Sequence, residues 1–362
     1  MTGPVSAGSE LRVSQEDVML AALRSVAPGT PLRAALDSVI AGRTGALIVI
    51  GDERGVDALS NGGFEINAPF TPQRLFELAK MDGAILLDFA ATRIRWANAH
   101  LMPDPSLPTS ETGMRHRTAE RVSRQTDALV ISVSKRRETV SLYRSGTRVS
   151  LQDIEVVLAK ANQALQTLER YRSRLDEVSG HLTALEFEDL VRFGDVAVVI
   201  QRLEMLRRVS RELGRYIVEL GTEGRLVRMQ AEELTAGIED DYQMLIRDYA
   251  PDPSSRKAAA VLGKLGSLTP EQLLDSTLLA GVLGYAAKDM DEQQMQPKGY
   301  RLLRRVPLLP NTVIARLIDH FGTLAALLVA TERQIDDVEG VGARRARSVS
   351  DGLRRMRERS IL

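Results

Sequence analysis

The sequence predicts an α/β domain with a mixed sheet, followed by an all-α helical spine and a small C-terminal domain. Up to about residue 150, short apolar runs alternate with amphipathic helical patterns. From about 151 to 300 helical spacing prevails, and the last segment, about 301 to 362, is short and rich in arginine. Interleaved strand and helix signals are typical of α/β domains, whereas uninterrupted helical spacing favours a bundle.

Composition limits the classes of function. The chain has 362 residues, which suggests two or three domains, and a formal net charge of +0. A basic surface for nucleic acid must therefore be local. The absence of cysteine excludes disulfides, thiolate metal sites and cysteine nucleophiles. Aromatic residues make up only 4%, which argues against a surface built for stacking bases.

The N-terminus and the apolar runs bear on location. The opening "MTGPVSAGSELRVSQEDVML" has no basic stretch followed by an apolar core, so we expect no signal peptide. The longest apolar runs, such as "ALIVI" at 46–50, are far shorter than a membrane span. We therefore expect a cytoplasmic protein without a membrane partner.

The elements of the first domain, 1–150, follow from local patterns. "TGALIVIG" predicts a buried strand, and "TPQRLFELAK" predicts a helix with Thr71 as N-cap and Pro72 at its first position. A further helix is expected after Gly113. The remaining strand signals are "GAILLDFA", "RIRWANA", "DALVISVS" and "ETVSLYR".

The second segment, 151–300, begins with a long helical seam. Its apolar residues are spaced by four and three positions: Ile154, Leu158, Ala161, Leu165 and Leu168. Such a seam is most often ordinary bundle core, and coupling along the spine is an alternative that only continuity supports. "APDPSSRK" at 250–257 predicts a loop.

The third segment, 301–362, contains a local basic surface. After residue 340 only Asp351 and Glu358 oppose a set of arginines, which are Arg344, Arg345, Arg347, Arg354, Arg355, Arg357 and Arg359. The same stretch contains "VEGVGARRA", a glycine pair directly before a helix. The neutral chain therefore ends in a basic tip.

"MDGAILL" places a carboxylate, Asp82, at the start of a predicted strand and directly before Gly83. A carboxylate beside a residue without a side chain can hold a divalent cation close to a bound ligand. The alternative is a simple turn, since Asp-Gly is a common turn dipeptide.

"TGMRHRTAER" places Arg115, His116 and Arg117 in the first turn of a predicted helix. Backbone N–H groups and arginines together suit a phosphate, whereas cations at a helix N-terminus are otherwise opposed by the dipole. Consecutive helical residues turn by about 100°, so Arg115 and Arg117 would point about 200° apart. Irregular geometry or two phosphates would be needed for both to bind, and a solvated basic turn is the alternative.

No G-x-x-x-x-G-K-[ST] loop is present, and no G-x-G-x-x-G follows a strand. A carboxylate for a metal and a cradle for a polyphosphate in one domain suggest a nucleotidyl or phosphoryl transferase. Such an enzyme would act by positioning and charge neutralisation.

"MDGAILL" and "GMRHRTAER", set in "NGGFEINAPFTPQRLFELAK", closely resemble the DGA and RHR motifs of diadenylate cyclases. "ALEFEDLV", "LGTEGRLVRMQ" and "GYRLLRRVPLLP" extend the resemblance to the DNA integrity scanning family over nearly the whole chain. The resemblance implies condensation of two ATP into cyclic di-AMP and two pyrophosphates, with Mg²⁺ or Mn²⁺. It also implies a homo-octamer in which cyclase domains meet face to face.

The resemblance also assigns residues. Asp82 becomes the metal-binding acid that helps to activate the ribose 3′-hydroxyl, and Arg115, His116 and Arg117 become catalytic phosphate-binding residues. The residues expected at the nucleotide are Gly83, Ala84, Leu101, Met114, Arg115, His116, Arg117, Thr118, Ser134 and Arg137. Met114 departs from the threonine common in the family, so only its backbone can serve there.

The basic tip then has a specific interpretation. A G-x-G between two helices directs backbone N–H groups at a phosphate, which is the helix–hairpin–helix arrangement. Gly340, Gly342, Arg344 and Arg345 are the expected DNA-binding residues, and "LLPNTVIARLIDHFG" resembles a degenerate partner hairpin. We expect contact with the DNA backbone, with branched DNA or recombination intermediates as partner. A capped helix with a solvated arginine face is the alternative.

A second class of function stays open at this point. The chain could be a DNA-structure-binding protein whose α/β domain senses a nucleotide and makes no product. Incubation with ATP and Mn²⁺ would separate the two, since only the cyclase releases pyrophosphate and cyclic di-AMP.

Overall fold

The computed structural model describes residues 15–286 and 291–360. The expectation that no signal peptide is present rests on residues 1–20, and residues 1–14 of that stretch lie outside the described residues. The chain divides into two compact units, one of residues 1–163 with 213–229 and the other of 164–212 with 230–362. The first unit contains the predicted α/β domain, and the segment 213–229, which joins it from the helical region, was not foreseen.

The first unit is built on a mixed eight-stranded sheet in the order β2-β5-β4-β1-β6-β7-β8, with β3 also paired to β5. Its strands are β1 (Ala46–Ile50), β2 (Ser60–Asn61), β3 (Phe64–Pro69), β4 (Ala84–Leu87), β5 (Arg93–Leu101), β6 (Leu129–Ser134), β7 (Thr139–Arg144) and β8 (Thr147–Ser150). β1 and β4 are parallel, while β6 runs antiparallel to β1 and β5 antiparallel to β4. The predicted mixed sheet is thereby confirmed.

Helices cover the sheet and continue through the second unit. They are α1 (Gln15–Ser25), α2 (Pro31–Ala41), α3 (Glu53–Leu59), α4 (Pro72–Leu78), α5 (Met114–Gln125), α6 (Ile154–Glu188), α7 (Phe193–Leu220), α8 (Arg225–Thr235), α9 (Ile238–Tyr249), α10 (Ser255–Ser267), α11 (Pro270–Leu273), α12 (Ser276–Leu283), α13 (Tyr300–Arg304), α14 (Asn311–Phe321), α15 (Leu324–Val329), α16 (Glu332–Asp336) and α17 (Gly342–Ser360).

Alternating side chains of β1 fill cores on both faces of the sheet. Ile48 packs in a cluster that takes in residues of α1, α2 and α4. Val49 packs in a second cluster with residues of α3 and α5. Two buried faces explain why β1 is an uninterrupted apolar run.

The predicted cap of α4 is confirmed, because the Thr71 side chain accepts a hydrogen bond from the backbone N–H of Arg74 and Pro72 is the first helical residue.

Topology brings several chain segments to one end of the strands, which is called the first edge of the sheet from here on. The parallel strands β1 and β4 begin there, with Leu47 opposite Ala84. The antiparallel strands β5 and β6 end there, because Ala99 lies opposite Ala84 and Val133 lies opposite Ala46. α5 leads into the start of β6 at the opposite edge, so its own N-terminus lies back at this first edge.

The second unit is helical in the part that the structure describes. The predicted loop at 250–257 is shorter than expected, because Ser254 caps α10 and the helix already begins at Ser255. α13 to α17 surround a separate apolar core that includes Leu303, Leu317 and Val349. No helix within 15–286 and 291–360 has the length and apolar character to cross a bilayer.

A buried polar junction ties α13 to α9 within this unit. The Asp248 carboxylate, at the end of α9, accepts hydrogen bonds from the backbone N–H groups of Gly299, Tyr300 and Arg301. Arg301 forms a buried ion pair with Glu186 of α6. Burial and the negative charge of Glu186 raise the pKa of Asp248 to about 7. The base of the C-terminal tip is thus fixed by charge-assisted contacts as well as by its apolar core.

Candidate functional site

The two motifs separated in sequence meet at the first edge of the sheet. The Nη2 atom of Arg115 lies 3.5 Å from Oδ1 of Asp82. Asp82 is fully exposed on this edge, whereas Arg115 is partly covered. Arg115 passes over the loop before β1, where a Cβ on Gly45 would fall 2.1 Å from its Nη1 atom. A glycine at position 45 therefore leaves the space that Arg115 occupies.

Asn98 of β5 shapes the backbone beside Asp82. Its Oδ1 atom accepts a hydrogen bond from the N–H of Gly83 at 3.0 Å. A Cβ on Gly83 would lie 2.4 Å from the carbonyl carbon of Asn98, so no side chain fits there. Asn98 itself has a φ of 54°, a left-handed conformation that asparagine tolerates better than most residues. The close crossing of these two strands fixes where Asp82 projects.

The N-terminus of α5 completes the edge with unpaired donors. Gly113 is the N-cap residue, with φ −82° and ψ 139°, and no side chain caps the helix. No acidic residue lies in its first turn. Met114, the first residue of the helix, is 85% exposed. An uncapped, basic first turn on a twelve-residue helix is suited to an anion.

His116 is held by a chain of hydrogen bonds behind the site. Its Nδ1 atom lies 2.9 Å from the hydroxyl of Tyr143, and that hydroxyl donates to Oε1 of Glu111 at 2.9 Å. Arg148 forms an ion pair with Glu111 at 2.7 Å. Because the single hydroxyl hydrogen of Tyr143 goes to Glu111, Nδ1 of His116 must be the protonated donor to Tyr143.

The charge state of His116 follows from its surroundings. Burial lowers the pKa of His116, Glu111 opposes this, and the nearby Arg148, Arg137 and Arg115 lower it further. The imidazole is therefore neutral at pH 7, with Nε2 as a free acceptor. It becomes a second donor only when it takes up a proton, which a bound polyanion would favour.

The remaining predicted nucleotide residues lie on the same edge. Arg117 donates from Nη2 to the carbonyl oxygen of Thr112 at 3.4 Å, whereas Arg115 approaches Asp82. Ser134 ends β6, and its Oγ accepts a hydrogen bond from the N–H of Arg137 at 3.3 Å. The others are Ala84 at the start of β4, Leu101 at the end of β5 and Thr118 in α5.

The donors for a divalent cation are sparse. No group of three or more His, Cys, Asp or Glu that could hold a metal occurs among residues 15–286 and 291–360. Asp82 offers an exposed carboxylate with only a long contact to Arg115. Mg²⁺ is commonly held by one or two carboxylates together with substrate phosphates and water. The edge fits that form of binding and does not fit a metal held by protein atoms alone.

Sequence reasoning missed the residues that act from behind. Asn98, Glu111, Tyr143 and Arg148 come from β5, the loop before α5, β7 and β8. None of them lies in the two motifs that pointed to the site. Tyr143 is fully buried beside His116. This burial marks it as a residue of the site, but it becomes visible only once the fold is known.

The predicted tip residues form a second, separate feature. Gly340 and Gly342 have φ values of 82° and 73°, and Gly342 is the first residue of α17. Arg345 donates from Nη1 to the carbonyl oxygen of Gly340 at 2.8 Å. Arg344 and Arg345 line an open cleft of about 430 Å³ together with Gly342. Both arginine side chains are exposed, so their charge is available.

Comparison with known proteins extends the similarity over the chain. A family model described as the DisA bacterial checkpoint controller nucleotide-binding region matches residues 33–148, and one described as its linker region matches residues 151–291. The DNA integrity scanning protein DisA of Frankia alni is 51% identical over 349 residues, covering 96% of this chain and 97% of that protein. That of Symbiobacterium thermophilum is 53% identical over 335 residues, covering 92% and 95%.

Proposed function

This chain belongs to the DisA family of DNA integrity scanning proteins and is a diadenylate cyclase; we propose that the sheet edge at Asp82 and the first turn of α5 hold ATP for that reaction. The observation that supports this placement is the meeting of Asp82 and Arg115, which lie in separate motifs and approach to 3.5 Å. An exposed carboxylate and an uncapped basic helix end then face the same space.

The triphosphate is assigned to α5. Its first-turn N–H groups and Arg115 neutralise the phosphates, and His116 donates from Nε2 once it is protonated. Arg117, Thr118, Ser134 and Arg137 lie within the same edge and supply further polar contacts. The adenosine is assigned to the strand ends at Gly83, Ala84 and Leu101.

Asp82 is assigned to the reacting end of the nucleotide. A bound Mg²⁺ or Mn²⁺ supplies charge neutralisation and lowers the pKa of the ribose 3′-hydroxyl. Asp82 and the ATP phosphates would hold that ion. The 3′-hydroxyl gives its proton to solvent, and its oxygen forms a bond to the α-phosphorus of a second ATP while the bond from that phosphorus to pyrophosphate breaks.

Ring closure requires a second pocket. One pocket holding one ATP cannot place each 3′-hydroxyl on the other nucleotide's α-phosphorus. Two copies of the edge facing each other across a two-fold axis satisfy this requirement. We propose a symmetric assembly, with an octamer as the expected size, in the cytoplasm.

The tip is proposed as the DNA-binding module. The left-handed Gly340 and Gly342, the start of α17 and the exposed Arg344 and Arg345 suit phosphate oxygens and offer no reading of base sequence. Several tips of one assembly would bind branched DNA better than a single tip would.

The test is incubation of the purified protein with ATP and Mg²⁺ or Mn²⁺. Pyrophosphate should accumulate in an amount equal to the ATP consumed, and cyclic di-AMP in half that amount, because two ATP give two pyrophosphates and one ring. Binding of ATP without either product would favour a nucleotide sensor instead.

A further inference from the structure

Two loops of the C-terminal tip share a backbone pattern over their first three residues. One runs from Val306 to Pro310 after α13, and the other from Val338 to Gly342 after α16. In each loop the valine N–H donates to the carbonyl oxygen three residues earlier, at 3.0 Å for Val306 and 3.3 Å for Val338. The third residue of each is left-handed, with φ 62° at Leu308 and 82° at Gly340.

The two loops differ in chemistry, and at their last position they also differ in backbone, since φ is −66° at Pro310 and 73° at Gly342. Pro310 stands where the second loop has Gly342, and a proline has no N–H to offer a phosphate. Leu308 stands where the second loop has Gly340, although its φ of 62° favours glycine. The first loop therefore shares the left-handed turn of the second loop and lacks one of its backbone donors.

Leu308 is not held in this conformation by packing. Its side chain is 85% exposed, whereas the flanking Val306 and Leu309 are buried in the core of the tip. A strained backbone that projects a large apolar side chain into solvent gains nothing for folding, which points to a use in binding.

The surroundings of Leu308 indicate what it meets. It lines the same cleft of about 430 Å³ as Gly342, Arg344 and Arg345. A DNA strand whose phosphates contact these three residues would therefore pass beside Leu308. An apolar side chain binds favourably where it removes other apolar surface from water, and in DNA the apolar surface is the face of an unstacked base.

We propose that Leu308 is an apolar contact for unstacked bases at a branch point of DNA, while the second hairpin holds the adjacent phosphates. This inference rests on the proposed DNA-binding function of the tip. In continuous duplex the base faces cover one another, so Leu308 contributes little there. Leu308 then provides part of the preference for branched over linear DNA.

The test uses the full chain and a four-way junction with 2-aminopurine at the branch, beside linear duplex of equal length. The variants are Leu308→Gly, which suits the left-handed backbone, and Leu308→Asn, which tolerates it and is polar. Val329→Ala is the matched control, since Val329 is 83% exposed in the same domain and lies outside the cleft.

Wild type and Val329→Ala should raise 2-aminopurine fluorescence and prefer the junction. Both Leu308 variants should lose the fluorescence change, and their preference for junction over duplex should fall about tenfold. Their affinity for duplex and their melting temperature should stay unchanged. Wild-type junction preference and fluorescence in both Leu308 variants would overturn the inference, as would a melting temperature lowered by several degrees. If wild type binds neither DNA, the proposed function of the tip fails first.

Discussion

At the scale of single residues, Asp82 is fully exposed, and its contact with Arg115, 3.5 Å between Oδ1 and Nη2, is a long one. We predict that Asp82→Asn abolishes synthesis of cyclic di-AMP while ATP binding falls only modestly, because the amide keeps the shape and loses the charge that holds the metal. Product by chromatography and ATP affinity by calorimetry measure the two effects. Asp127→Asn, at the opposite edge, serves as the control, and near-normal synthesis by Asp82→Asn would remove Asp82 from the mechanism.

The second prediction at the residue scale concerns Arg115 and Arg117. Replacing both with alanine should weaken the stabilisation of the phosphates by several kcal/mol, since one charge-assisted contact contributes about 1.5–3 kcal/mol. ATP affinity and turnover report the loss, and Arg54→Ala, an exposed arginine of α3, is the control. Unchanged affinity and turnover would mean that the first turn of α5 is simply solvated.

His116 gives a prediction about pH. The pKa of the free protein's His116 is lowered by burial and by arginines, and a bound triphosphate should raise it again. ATP binding should then take up protons, so affinity should fall as pH rises between the two pKa values. Calorimetry at pH 7 with EDTA, in two buffers of different ionisation enthalpy, measures this uptake.

Tyr143→Phe is the matched variant for that measurement. It removes the hydroxyl that accepts from Nδ1 of His116 and donates to Glu111. The imidazole then loses the hydrogen bond that keeps the proton on Nδ1 and leaves Nε2 as the acceptor. We expect reduced proton uptake and a shifted pH profile of synthesis. Equal heats in both buffers for the wild type would exclude proton-coupled binding.

The motifs predicted Asp82, Arg115, His116 and Arg117 because each residue lies in a recognisable local pattern. Asn98 and Tyr143 could not be predicted in this way. Asn98 acts on Gly83 across two strands, and Tyr143 acts on His116 from a strand that follows the helix. Contacts of that kind depend on strand order and register, which no local spacing encodes.

At the scale of elements, the sequence predicted an α/β domain with Asp82 at the start of a strand, and the structure confirms both, since β4 begins at Ala84. The parallel strands β1 and β4 begin at the edge that carries Asp82, whereas open α/β sheets most often bind ligands at the carboxyl ends of parallel strands. The antiparallel β5 and β6 deliver Leu101 and Ser134 to the same edge. The loop at 250–257 was overestimated because a serine cap starts α10 early.

α17 supports a prediction about DNA. Arg344→Ala with Arg345→Ala should lower the salt dependence of binding, since each phosphate neutralised contributes about 0.9 to the log–log slope on duplex DNA. Titrations at several salt concentrations measure the slope, and melting temperature checks the hairpin, because Arg345 also bonds Gly340. Arg359→Ala is the control. An unchanged slope with intact folding would place the DNA elsewhere.

At the scale of the whole molecule, one chain supplies one edge with one carboxylate and one phosphate cradle. The composition had already confined any nucleic-acid surface to a local patch, and the structure places the expected arginines on a hairpin distinct from the cyclase edge. Within residues 15–286 and 291–360, one chain supplies one such nucleotide pocket, whereas a cyclic product requires two. The central claim is therefore that catalysis belongs to an assembly of facing edges.

Specific activity measured across a dilution series tests this claim most directly, with light scattering on the same samples. The account predicts that cyclic di-AMP formed per chain falls steeply once the protein dissociates, while ATP affinity of each chain is kept. A monomer by light scattering that still makes cyclic di-AMP at the undiluted rate would contradict it.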